Sequence, residues 1–263
     1  MPDTTRPQRG PARRVFHPIT RPMTLTPEQV RRTRREVPDP GPDPSFTLLT
    51  DDDCARISAR LLQGRQGPVW VFAYGSLIWN PGFPVGRIRK GVAHGWHRSF
   101  CLELTSWRGS PEVPGLMLAL ERGGSTTGLL MEVAPDRLTD GLTALLKREL
   151  LVHDFAGNVR WIKVRSEGEV LEALAFWAGP KGRMVVSGLP PETVAWRLAH
   201  ACGHGGSGAE YLYSTVAKLD EYGLRDRNLW HLQHLVAQEI ARWEEPGQGP
   251  DASPGFAAPR QGA

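Results

Sequence analysis

Two places in the sequence put reactive groups where surface decoration is a poor explanation for them. The first is 74-YGSL-77, which follows directly on the apolar, β-branched run 69-VWVFA-73. Gly75 permits a backbone turn and leaves successive N–H groups free at the end of a buried strand. Such a nest can hold a carboxylate or a developing oxyanion, with Ser76 adding a hydroxyl and Tyr74 a phenol. The second is Glu149. Counting back three, four and seven positions reaches Leu146, Leu145 and Leu142, so its carboxyl lies on the apolar stripe of its helix. The negative end of the helix dipole and partial burial both disfavour its charge. Both raise its pKa, as a general base working near neutrality requires. The structural alternatives are a simple turn at 74–77 and a Glu149 that escapes at a frayed helix end or pairs with Arg148.

Other clusters carry less. The segment 203-GHGGSG-208 matches G-x-G-x-x-G, but that fingerprint needs a strand before it, and 192–201 reads as helix. A local account is better: Ser207 caps the next helix and Glu210 reaches back, giving a capping box. His200, Cys202 and His204, with His231 and His234, raise the question of a metal, yet neither an acidic residue nor a second Cys stands nearby as a fourth ligand. The expectation is no metal. Nothing marks Cys202 as an activated nucleophile.

The elements that must position Tyr74 to Leu77 and Glu149 follow from periodicity. Strands are expected at 69–73, 91–104, 116–121, 127–133, 159–166 and 170–177, separated by Gly, Pro and Ser clusters. Helices are expected at 51–63 and 135–151, the latter with Pro135 in its first turn, and then at 192–201, 208–222 and 228–243. Strands followed by a run of helices argue an α+β fold with a sheet of about six strands.

Composition places these elements in a central region. Residues 1–50 hold ten of the 23 prolines and 246–263 hold four. The same first 50 residues carry nine Arg against five Asp or Glu, which is +4, so the remainder is neutral at 23 against 23. The expected organisation is a disordered Arg/Pro-rich arm over 1–50, one domain over 51–245 and a disordered tail over 246–263. Within the arm, a short helix over 27–36 with Thr26 as N-cap is allowed. The bias of 27 Arg to 5 Lys runs through the neutral region too, so it marks no basic stripe, and no nucleic-acid partner is expected. No apolar run approaches the ~20 residues of a membrane span, and the first 25 residues offer no secretory h-region. Three scattered cysteines, Cys54, Cys101 and Cys202, suit a reducing cytoplasm.

The runs 71-VFAYGSLIWNPGF-83, 95-GWHRSFCLELTSWRGSPEVPGLMLAL-120, 148-RE-149 and 208-GAEYLYSTVAKLDEYGLRDRNL-229 together resemble, in order and spacing, the ChaC-type γ-glutamylcyclotransferases over about residues 68–240. The resemblance implies an α+β γ-glutamylcyclotransferase-like fold with a mixed, barrel-like sheet and flanking and C-terminal helices. It implies cleavage of glutathione to 5-oxoproline and cysteinylglycine without a cofactor. In this sequence it assigns substrate binding to Tyr74, Gly75, Ser76, Leu77 and Tyr211, and acid/base work to Glu149. One departure stands out: the family follows R-E with a Gly and then a Tyr, whereas 150-LLVHDF-155 has no Gly and has Phe155 near the Tyr position. The alternatives are therefore a cyclotransferase for other γ-glutamyl amino acids or amines, and a non-catalytic regulatory or binding protein on the same fold. Arg98 and Arg108 could pair with the glycyl carboxylate, but an Arg among strands more often packs its stem and forms salt bridges. Oligomeric state is open between monomer and weak dimer, and deletion of 1–50 is expected to leave turnover unchanged.

Overall fold

The computed structural model of the protein describes residues 22–180, 182 and 184–243. Its centre is a closed barrel in the order β1-β3-β2-β4-β5, made of β1 (Trp70–Ala73), β2 (Val85–Leu104), β3 (Gly115–Val133), β4 (Val159–Ser166) and β5 (Glu169–Phe176). All neighbours are antiparallel except β1 and β5, which close the barrel in parallel with Val71 opposite Leu174. The sheet is thus mixed. It has five strands, not six, because 116–121 and 127–133 are two stretches of the one strand β3. Gly123 and Gly124, which read as a break in the sequence, take φ of 104° and 66°. They lie beside a register shift between His94 and Trp96 on β2, so the pair of strands kinks without leaving its ladder.

Helix α2 (Asp51–Leu62) starts at a Thr50 capping box, and α3 (Leu138–Leu150) follows a single 3-10 turn over Pro135–Arg137. Leu142, Leu145, Leu146 and Leu150 are fully buried on α3, as the 3.6-residue period requires. Helices α4 (Pro191–His200), α5 (Gly208–Glu221) and α6 (Arg227–Ala241) pack together, with a two-residue ladder, β6 (Cys202–Gly203) and β7 (Gly206–Ser207), between α4 and α5. Ser207 caps α5 by accepting from the Glu210 N–H at 3.1 Å. The Glu210 carboxylate does not complete a capping box but faces Arg108 and Arg34. Among the described residues no helix is long and apolar enough to cross a membrane.

The expectation of a disordered arm is corrected for residues 22–50. Helix α1 (Pro27–Thr33) has the Thr26 capping box and packs on α5 and α6. Leu25 is buried, and the Gln233 side-chain oxygen on α6 accepts from the N–H groups of Thr24 and Leu25 at 3.0 and 2.8 Å. Thr33 donates to Ser207 at 2.7 Å. Arginines and prolines dominate the composition here, but a few apolar and capping residues suffice to dock a short helix. Residues 1–21 and the expected tail at 246–263 lie outside the described residues.

Candidate active site

Strand β1 delivers Tyr74 to the end of the barrel, and the chain then turns through Gly75 into a helical turn at Ser76–Ile78. The turn is closed by Ile78 N–H to Gly75 O at 3.0 Å and by Trp79 and Asn80 N–H to Ser76 O at 3.1 and 2.8 Å. The N–H groups of Ser76 and Leu77 precede these bonds, as the first donors of any helical turn do. A Cβ on Gly75 would stand 3.1 Å from the Tyr211 hydroxyl, so the phenol of α5 lies directly against the glycine. Tyr211 is buried and boxed edge-on by Trp79 and Phe100, each with its ring centroid 6.0 Å away. The Arg108 guanidinium stands 5.4 Å from the Tyr211 ring centre.

Glu149, in the last turn of α3, faces this loop. Its side chain is 19% exposed, and its Oε1 lies 3.2 Å from Arg148 Nε. Burial pushes the Glu149 pKa up and the Arg148 charge pulls it down, with the rise prevailing. The Tyr211 phenol is raised to about 12, chiefly by burial and then by the Glu149 charge, against hydrogen bonding with Ser76 that lowers it. Tyr211 is therefore a protonated donor at neutral pH. Tyr74 is raised well above its ordinary value for the same two leading reasons.

Gly75, Ser76, Glu149 and Tyr211 are thus brought together, and Tyr74 and Leu77 contribute in a different way. The Tyr74 hydroxyl donates to Phe176 O at 2.8 Å, so its proton is used inside the protein. Leu77 is buried in the core and offers the loop its backbone. The Tyr74 carbonyl accepts from Arg98 Nε at 2.6 Å. Arg98 also donates to Thr126 Oγ1, to Thr127 O and to Asp226 Oδ2, the last at 2.9 Å. Arg108 donates to Ser207 O at 2.9 Å and faces Glu210 at 3.5 Å. Both guanidiniums serve internal acceptors. His200 bonds Glu239 at 3.1 Å and His204 lies 3.5 Å from Asp39. Among the described residues no three His, Cys, Asp or Glu side chains converge as ligands for an ion.

From the sequence, Arg148 entered only as an ion-pair partner for Glu149. In the structure its guanidinium also reaches Ser76 Oγ at 3.3 Å and the Asn80 carbonyl. The accessible signal was Gly82 in 80-NPG-82, a turn glycine with φ 70° where a Cβ would lie 2.7 Å from Arg148 Nη1. The departure at 150-LLVHDF-155 also resolves into geometry. Leu151 takes φ 46° and ψ −50°, a γ-turn closed by Val152 N–H to Leu150 O, in the positive-φ half of backbone space that a glycine enters more readily than a leucine. It is held there by a bond from Leu49 N–H to Leu151 O at 2.9 Å and by the bridge of Leu48 to Val152.

A model of the ChaC-like protein family matches residues 69–239. The chain is 36% identical over 177 residues to the glutathione-specific γ-glutamylcyclotransferase of Escherichia coli, covering 67% of this chain and 76% of that one. It is 31% identical over 147 residues to the mouse glutathione-specific γ-glutamylcyclotransferase 1, covering 55% of this chain and 66% of the relative. The crystal structure of a yeast γ-glutamylcyclotransferase specific to glutathione superposes with a TM-score of 0.60 at 18% identity, over 68% of this chain and all of that one. At that identity the superposition speaks for the fold alone.

Proposed function

The chain belongs to the ChaC-like family, and from that premise we propose that it is a glutathione-specific γ-glutamylcyclotransferase releasing 5-oxoproline and cysteinylglycine. The substrate carries its own nucleophile. The α-amine of the γ-glutamyl group attacks the γ-carbonyl carbon, a five-membered lactam closes, and the bond to the cysteinyl nitrogen breaks. Counted from the ammonium, the attacking nitrogen gives up two protons in becoming the lactam N–H and the departing nitrogen takes up two in becoming the ammonium of cysteinylglycine, so no water is consumed and no nucleophilic Ser, Cys or metal is required.

Three tasks remain for the protein. The γ-glutamyl chain must be bent into an attacking conformation, which the Gly75–Ser76 turn and the Tyr211 hydroxyl lying against it can shape. An ammonium that is mostly charged at neutral pH must lose a proton, and the leaving amine must receive one. A single carboxyl of raised pKa, Glu149, serves both steps. The oxyanion of the tetrahedral intermediate needs donors that are already in place, and the Leu77 N–H in the Ser76–Ile78 turn, with the Tyr211 hydroxyl that meets the Ser76 N–H, is placed to supply them. The observation that carries the reading is the half-buried Glu149 carboxyl held beside the glycine turn within the family's domain. All these residues come from one chain. Three buried free cysteines suit a cytoplasmic setting.

The test is to incubate the purified protein with glutathione, with γ-glutamylalanine and with neither, and to measure 5-oxoproline by mass spectrometry. Release from glutathione, at least tenfold above γ-glutamylalanine and abolished in Glu149→Gln, is expected (roughly 10²–10⁴-fold lower kcat). Preferred release from γ-glutamylalanine would move the enzyme to the broader cyclotransferases, and no release from either would sink the enzymatic reading.

A further inference from the structure

Arg148 and Glu149 are neighbours in sequence on α3, and neighbouring side chains leave a helix about 100° apart, so they do not ordinarily face each other. Their 3.2 Å contact therefore needs a cause outside the helix. The cause is the loop after β1. One terminal nitrogen of Arg148 reaches Ser76 Oγ at 3.3 Å, and the other reaches the Asn80 carbonyl. The stem and head of the arginine lie against Gly82, where a Cβ would stand 2.7 Å from Nη1 and 3.1 Å from Cδ. Glycine at that position leaves room for the side chain. The planar guanidinium thus meets acceptors at both ends of the 76–80 turn and the carboxylate of the proposed base at the same time, a geometry that an ammonium on a flexible stem does not reproduce.

We propose that Arg148 is a positioning residue that clamps the Glu149 carboxylate to the Ser76–Asn80 turn. The clamp engages Oε1 of Glu149 and leaves Oε2 for the substrate amine, and it sets one distance on which the reaction depends, that between base and substrate loop. This inference rests on the proposed reaction. The charged and titratable groups around the Glu149 carboxyl are Arg148 on its own helix, Tyr74 at the end of β1 and Tyr211 on α5. Both phenols are held neutral by burial, which leaves Arg148 as the cation that acts on the base.

The experiment follows the Glu149 carboxyl by carbon NMR of glutamate-labelled protein, assigned by its disappearance in Glu149→Gln, together with kcat and KM across pH. Arg148→Met should move the titration up by about one pH unit and lower kcat at pH 7 by about 10–100-fold. Arg148→Lys keeps the charge and loses the fork, so it should leave the titration near its wild-type position and still lower kcat. Gly82→Ala, which displaces the guanidinium without altering any charge, should move the titration upward as Arg148→Met does. A titration that does not move in Arg148→Met, or a wild-type kcat in Arg148→Lys, overturns the clamp. The titration is read without turnover, so absence of 5-oxoproline from wild-type protein would count against the reaction and leave the clamp measurable.

Discussion

At the scale of single residues, the chemistry reduces to keeping one carboxyl usable and two phenols neutral. Glu149 is raised by burial against the pull of Arg148, and the consequence for stability has a definite sign. A carboxyl whose pKa is higher in the folded state favours folding when protonated, and that contribution is complete below the unfolded value of about 4.3. It is lost as pH rises through the folded value, so at neutral pH the ionised Glu149 weakens the fold. Glu149→Gln should therefore be inactive yet melt at the same or a higher temperature than wild type at pH 7, with the gain fading as pH falls to about 4. A lower melting temperature at pH 7 would mean that the ion pair with Arg148 outweighs the burial of the charge. In turnover, the acid limb of the wild-type rate should titrate above the range of free Glu, and a rate already saturated at pH 5 would count against the raised base. Tyr74 is instructive at the same scale. Its type and place in 74-YGSL-77 mark it as a substrate-binding phenol, whereas its hydroxyl is taken by Phe176 O, an acceptor 102 residues away that no local pattern reveals.

Among elements, the site depends on joints between parts distant in sequence. The most buried is Arg98 on β2, with a side chain 2% exposed, facing Asp226 at the N-terminus of α6. One guanidinium holds the Tyr74 carbonyl, both Thr126 and Thr127 of β3, and α6. Asp226 meanwhile caps α6 by accepting from the N–H groups of Asn228 and Leu229. Asp226→Asn preserves a capping side chain but leaves a buried guanidinium without its counter-charge. It should destabilise the protein by about 3 kcal/mol, and Asp226→Ala by about 1 kcal/mol more because the cap is lost as well. Urea denaturation checks both. A change below about 1 kcal/mol in Asp226→Asn would mean that the carbonyl and hydroxyl acceptors alone satisfy Arg98. Helices and most strands were legible because apolar periodicity is a local property. The count of strands was not, because Gly123 and Gly124 punctuate the sequence while the partner strand β2 carries a matching irregularity at His94 to Trp96.

For the whole molecule, residues 22–50 change the description most. The composition of residues 1–50 suggested a disordered arm, whose deletion was expected to leave turnover unchanged. In the structure, residues 22–50 dock α1 on the C-terminal helices and lay residues 47–49 beside the segment that leaves α3. Thr47 O accepts from His153 N–H at 2.9 Å, and Leu49 N–H donates to Leu151 O at 2.9 Å. A chain beginning at Asp51 should therefore melt lower by about 5–10 °C, from the loss of buried Leu25 and the docking contacts. It should also turn over more slowly, because the positive-φ Leu151 just beyond Glu149 loses its partner. An unchanged melting temperature together with full turnover would restore the dispensable arm.

By itself the sequence determined the family, the α+β class, the positions of the helices, a turn at 74-YGSL-77 and, separately, Glu149 on the apolar face of its helix. The elements rest on periodicity and capping, which act over a few residues at a time, and the family rests on the order and spacing of motifs along the chain. Only the tertiary structure decided that five strands close a barrel, that Tyr74 turns its phenol inward, that Arg148 joins Glu149 to the loop after β1, and that residues 22–50 pack on the folded body. Each of those depends on which donor meets which acceptor after the chain has closed on itself. Gln233 accepts from Thr24 across 209 positions, and Arg98 donates to Asp226 across 128. Such pairings are set by burial and the need to satisfy polar groups there, and no window along the chain contains both partners.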